Sequence, residues 1–205
     1  MGKQSVSVRG FTLMELMIVI ALAAVILAIG TPNFREFRQN NRLTAVANDF
    51  LASVALARTE AVKRQNPVSL CASDTPSDAT ASCADGSFTR WIVFEDANGD
   101  CERDADEPIL RAEVGRNEGG GSTLEQRREL KAVADGGCVS IGRTGFTRDL
   151  PTSASRFLFC DGRGIEVQAG TEQSLGRGII LNRTGRAQIT RDPAIISSWE
   201  LECPP

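Results

Sequence analysis

From Leu16 to Ile29 every residue is apolar, and Leu13 and Met14 carry the run backwards past a single interruption, Glu15. Counted from Phe11 to Gly30 with Glu15 inside, it reaches the roughly 20 residues of a membrane-spanning helix. Past Pro32 the pattern changes. Leu43, Ala47, Phe50, Val54, Ala57 and Ala61 recur at steps of three and four, the signature of one buried helix face. Arg35, Glu36, Arg38, Arg42, Asp49, Arg58 and Glu60 fall to the other faces. The spacing predicts one helix from about Thr12 to Gln65, roughly 80 Å long at 1.5 Å per residue. Pro32 removes a ladder donor and should kink it, and the Gln65-Asn66-Pro67 sequence ends it.

After Asn66 the texture shifts to short runs rich in Val, Ile and Phe, separated by Gly, Asp and Ser. VSLCA (68–72), RWIVFE (90–95), ILRAEV (109–114), CVSIG (138–142), SRFLFC (155–160), GIILN (178–182) and AQIT (187–190) read as strands. SDTPSDATASCADGS and GRNEGGGSTLEQ read as loops by composition. One helix followed by strands that never alternate with further helices argues for an α+β fold, the helix packed on one antiparallel sheet or two. No internal repeat is apparent.

Composition narrows the function. The 205 residues carry a formal charge of −3, with no overall basic signature for nucleic acid. There is no histidine, which removes the commonest general base and zinc ligand. No serine sits in a nucleophile-elbow context and GRNEGGG lacks the Lys-Ser/Thr of a phosphate loop, so no catalytic residue is assigned and the chain is not read as an enzyme. Six cysteines, Cys71, Cys83, Cys101, Cys138, Cys160 and Cys203, all follow the apolar run and form no CxxC. That favours disulfides in an oxidising compartment over a metal site, with the connectivity left open.

Glu15 is the informative residue of the N-terminal segment. A secretory signal would account for Lys3, Arg9 and the apolar run, but not for Glu15, and AIGTPNF is a poor cleavage site. A carboxylate in lipid costs on the order of 3 kcal/mol near the bilayer centre and is kept for a partner. RGFTLMELMIVIALAAVI resembles the class III signal of type IV prepilins and type II secretion pseudopilins. The resemblance implies cleavage by a prepilin peptidase between Gly10 and Phe11, and N-methylation of Phe11. It also implies that Glu15 pairs with the N-terminal amine of a neighbouring subunit as a filament grows, and it matches a family proline at Pro32. A charge buried in lipid or in a fibre needs such a partner.

RFLFCDGRG, GRGIILNRTGRAQI and the terminal WELECPP resemble the GspH/FimT type of minor pilin. In that group a CDxRG run, a GRA and a late cysteine recur, and the two cysteines are generally bonded; Cys160 and Cys203 match them. Such a bond would contribute on the order of 2–4 kcal/mol. Cys71 and Cys83 flank a polar loop and form the natural second pair, which leaves Cys101 with Cys138.

Two further clusters each carry two readings. In DANGDCERDADE, Asp96, Asn98, Asp100, Glu102, Asp104 and Glu107 stand at positions 1, 3, 5, 7, 9 and 12 of a calcium loop. Cys101 replaces the turn glycine and the flanks read as strands, so an acidic solvated turn competes with a weak extracellular calcium site. Arg183, Arg186 and Arg191, with Arg177 and Arg163 nearby, make a local basic stripe. Some FimT-like proteins are DNA receptors through a GRxR turn. Gly185 and Arg186 match it, and Gln188 stands where the second arginine belongs. Surface charge competes with double-stranded DNA as the explanation.

The expectation is a leader over 1–10, a transmembrane and filament-core helix over 11–31, its amphipathic continuation over 32–66, and a disulfide-stabilised periplasmic β-domain over 67–205. The protein would be single-pass in the bacterial inner membrane. Its function would be that of a minor pilin or pseudopilin helping to initiate or cap a filament. Its partners would be other major and minor pilins, the prepilin peptidase and the inner-membrane assembly platform.

Overall fold

The computed structural model describes residues 11–84, 87–113, 130–150 and 153–203, without the side chains of 29–33 and 35. Helix α1 spans Leu13–Arg64. Its helical assignment continues through Pro32, so no break occurs there. Gln65 leaves the helix with φ 57, and its side-chain amide donates to the Val62 carbonyl at 2.7 Å. The chain divides into two compact units at Asn40/Asn41.

In the first unit the apolar helix is uncovered: Phe11, Leu13, Met14 and Ile26 are 70–74% exposed. The transmembrane assignment is corrected here. Among the described residues no helix is long and apolar enough to cross a membrane. The single-pass inner-membrane placement, with its periplasmic domain, rested on that span and falls with it.

The second unit is a helix on two sheets. Strands β1 (Val68–Ala72), β2 (Trp91–Glu95), β3 (Ile109–Glu113) and β5 (Cys138–Ile141) form one sheet in the order β3-β2-β1-β5. Strands β4 (Lys131–Ala134), β6 (Arg156–Cys160), β7 (Arg177–Leu181) and β8 (Ala187–Thr190) form the other, in the order β4-β6-β7-β8. Ladders between these strands are antiparallel. The α1 stripe Leu43, Ala47, Phe50, Val54, Ala57 and Ala61 is buried, packed with the inner residues Leu70, Trp91, Val93, Phe157, Phe159 and Ile179.

Period-two alternation sends the other residues of each strand outward, and both outer faces are covered too. Behind the first sheet, Cys71, Ile92, Phe94 and Cys138 pack with Ala81 and Cys101 from the flanking loops. Behind the second, Leu158 and Ile180 meet Ile196 and Trp199 around the short helix α2 (Pro193–Ser197). Trp199 lies so close to β7 that a side chain at Gly178 would collide with its ring. The expected loop over 115–126 and the expected leader lie outside the described residues.

Candidate functional site

Thr12 caps the start of α1, with Glu15 three residues on in the T-x-x-E pattern. The Glu15 N–H donates to Thr12 Oγ1 at 3.2 Å, and the acid also suits the positive helix N-terminus. Both Phe11 and Glu15 are exposed, so the carboxylate is open to a neighbour. Gly10 lies outside the described residues, and of Pro32 only the helical backbone is described.

Three disulfides join Cys71 to Cys83, Cys101 to Cys138 and Cys160 to Cys203, with Cα–Cα separations of 5.5, 6.2 and 6.3 Å. Each ties an outer cover to the sheet beneath it. Cys71 and Cys138 also face one another across the β1–β5 register, so two of the bonds anchor side by side.

The 96–107 loop is held by its own acids. Asp96 is fully buried and accepts from Ser69 Oγ, from the Gly99 N–H at 2.7 Å and from the Cys101 N–H at 3.2 Å. Glu107, also buried, accepts from the N–H groups of Ala97 (2.7 Å) and Asp104 (3.0 Å). The Asn98 oxygen accepts from the Asp100 N–H, which turns its NH₂ toward the carboxylates of Asp100 and Asp104. Asp100 in turn accepts from the Glu102 N–H at 2.8 Å. Of the oxygens a calcium ion would require, those of Asp96, Asn98, Asp100 and Glu107 accept from backbone donors. Among the described residues no group of three or more His, Cys, Asp or Glu is arranged to hold a metal. Cys101 takes φ 71, the left-handed conformation glycine would supply, and the bond to Cys138 holds it there.

The arginines separate into two kinds. Arg177 is buried on the inner face, where its guanidinium donates to Thr44 Oγ1 at 3.3 Å and to the Leu175 carbonyl at 2.8 Å. Burial, with Arg191 and Arg163 nearby, lowers its pKa to about 10. Arg191 donates to the Ser174 carbonyl and to Gln168 Oε1, and burial lowers its pKa as well. Arg163 is paired with Asp161 at 2.7 Å.

Arg183 and Arg186 remain exposed on the β7–β8 turn, Arg183 in a loose 3.1 Å pair with Asp149. That turn has a twin. Gly142-Arg143-Thr144-Gly145 and Asn182-Arg183-Thr184-Gly185 close with matching bonds: 2.8 and 2.9 Å from the fourth N–H to the first carbonyl, and 2.9 Å in both from the first N–H to the fifth carbonyl. Each fourth residue is a glycine at φ 80 or 70. The turns are fastened together, the Thr147 N–H donating to the Arg183 carbonyl at 3.0 Å. A methyl group on Gly185 would strike the Gly145 carbonyl. The repeated R-T-G was the signal for this device, though three residues are too few to mark a repeat in the sequence alone.

A long helix with an acid in its first turn, carrying a disulfide-tied antiparallel β-domain, is the plan of a pilin-like filament subunit. The family model described as type II transport protein GspH matches residues 46–185. The chain belongs to that family, which makes it a subunit of the pilin and pseudopilin kind. The model described as the prokaryotic N-terminal methylation motif matches residues 7–31. Two crystal structures of the type IV minor pilin FimU from Pseudomonas aeruginosa PAO1 are similar to it. The P65 form is 19% identical over 72% of this chain and 91% of that one, with a TM-score of 0.43. The P21 form is 20% identical over 75% and 91%, with a TM-score of 0.45. No curated protein matches the chain.

Proposed function

We propose that this chain is a minor subunit that helps to initiate or cap a type IV pilus or a type II secretion pseudopilus. In this reading it is cut between Gly10 and Phe11 by a prepilin peptidase and methylated on Phe11. The methylation-motif match over residues 7–31 supports the processing. The observation that carries the assembly role is the uncovered apolar stretch of α1, with Phe11, Leu13 and Met14 each more than 70% exposed beside an exposed Glu15. Such a surface is stable only when buried, and a filament core of like helices would bury it. Glu15 then needs a cation there, and the amine of a neighbouring subunit supplies one. The contacts expected are with other pilins and with the assembly platform.

Immunoblotting of sheared filaments tests this. Glu15→Ala should remove the subunit from filaments while the three disulfides still form. Unchanged incorporation would sink the amine-pairing account.

A second reading, a DNA-binding minor pilin acting in DNA uptake, is favoured by one observation: Arg183 and Arg186 are exposed on one turn and tied to the Arg143 turn beside it. Three guanidinium groups on adjoining tips suit a phosphodiester backbone without base readout. Gel-shift titration of duplex DNA at two salt concentrations tests it. Salt-sensitive binding that weakens on Arg186→Ala supports uptake, and no shift at high protein concentration removes it.

A further inference from the structure

Strand β8 is the edge of its sheet. In the turn, the Asn182 N–H donates to the Arg186 carbonyl at 2.9 Å, which fixes the alternation of the ladder that follows. Gln188 and Thr190, opposite Ile180 and Gly178, direct their main-chain groups to β7. Those of Ala187 and Ile189 therefore point to the open side, where they meet no hydrogen-bond partner among the described residues.

That open side borders a groove of about 560 Å³ between β8 and α1. Ala52 and Ala55 keep its helix wall low, and none of its lining residues is acidic. Two cations line it. Arg58 is half-buried and Arg186 exposed, and the side chain of neither makes a hydrogen bond or ion pair among the described residues. An arginine side chain without an anion and a strand edge without a partner are both open to a ligand. Here both meet at the Ala187 end of β8.

We propose that this groove takes up an extended, acidic segment of another polypeptide as an added strand on β8. Its main chain pairs with Ala187 and Ile189, and its carboxylates meet Arg58 and Arg186. Edge-strand addition of this kind draws affinity from main-chain bonds and specificity from the flanking side chains. The four residues of β8 are about 13 Å long, so about four residues of the incoming segment make the contact. The inference goes beyond the assembly role and does not depend on it.

The test uses the full chain in mild detergent and a fluorescein-labelled peptide of about eight residues, valine and threonine alternating, with two glutamates at one end. Fluorescence anisotropy should show saturable, salt-sensitive binding. N-methylation of alternate peptide amides on one edge should weaken it about tenfold or more, while methylation on the other edge changes it little. Arg58→Gln should weaken binding about twofold to fivefold. Ala187→Pro removes an outward N–H without touching the ladder to β7 and should abolish it. Circular dichroism checks that both variants are folded, and a variant that unfolds leaves the methylated peptides to decide. Absence of saturable binding overturns the proposal. So does equal binding of the two methylated peptides, and displacement of the peptide by duplex DNA in that case would identify a general anion surface instead.

Discussion

Replacing Phe50 by alanine tests the joint between α1 and both sheets. The ring is fully buried. Its centroid lies 4.5 Å from Phe157 and 5.5 Å from Phe159 in β6, 5.4 Å from Trp91 in β2 and 6.0 Å from Phe88. The contacts with Phe88 and Trp91 are edge-to-face, at 88° and 75°. A phenylalanine-to-alanine truncation at a site that cannot collapse costs about 3–5 kcal/mol. Walls made of four other aromatic rings cannot close the gap, so the upper half of that range, about 4–5 kcal/mol, is expected. Domains of this size are stable by about 5–15 kcal/mol, so the variant should lie near the edge of folding. Phe50→Leu keeps most of the apolar area and loses ring–ring terms of about 0.5–1.5 kcal/mol per pair, so it should fall between wild type and alanine. Guanidinium denaturation of the full chain in mild detergent, followed by far-ultraviolet circular dichroism, gives both values. A loss below about 1 kcal/mol for Phe50→Ala, or equal losses for leucine and alanine, would refute this account of the core.

Three further outcomes are expected. Cys101→Ser with Cys138→Ser opens a link between residues 37 apart, and loop-closure entropy puts the loss at up to about 4 kcal/mol; faster amide exchange at Gly99 and Cys101 should accompany it, and unchanged exchange would mean the Asp96 bonds hold the loop alone. Burial raises the Asp135 carboxyl, but hydrogen bonds from the Arg156 side chain, the Arg156 and Ser155 N–H groups and the Ser155 hydroxyl outweigh it and hold the pKa below its ordinary 3.8. Its stabilisation is therefore complete above about pH 4 and lost as the pH falls through the lower folded value; Asp135→Asn should flatten that part of a melting-temperature profile between pH 6 and 2, and an unchanged slope would show the carboxylate to be irrelevant. Millimolar calcium should leave the melting curve where it is, because the oxygens of Asp96 and Glu107 are already engaged; a rise of several degrees would restore the cation site.

The sequence was most legible where one physical rule dominates. Strands β1 and β8 lie where the β-branched runs between turn residues put them, and every residue of the α1 stripe is buried. Strand β4 was missed because KAVA is short and half alanine, a weak strand former. Helix α2 was missed although its start is written in the chain: Asp192 caps it, accepting from the Ala194 N–H at 2.9 Å, and Pro193 stands in its first turn. The site was less legible, because residue type does not reveal what a side chain is bonded to. Calcium-like spacing marked the acids of the 96–107 loop in sequence, yet the carboxylates of Asp96, Asp100 and Glu107 accept from nearby N–H groups. Arg177 and Arg186 looked alike on a basic stripe. One faces inward from β7 and the other stands on a turn, a difference set by strand register.

The protein has two tryptophans and no tyrosine, so its ultraviolet emission comes almost wholly from two places. Trp91 lies in the inner layer with its indole N–H donating to Ser53 Oγ at 2.9 Å, and Trp199 lies on the outer cover of the second sheet against Gly178. The molecule thus carries an optical reporter on each side of that sheet. A Trp91→Phe chain would report the outer cover alone and a Trp199→Phe chain the inner layer alone. Should the cover lift before the layer loosens, the two spectra would part along the denaturant axis, and unlabelled protein would reveal the order in which its shells come away.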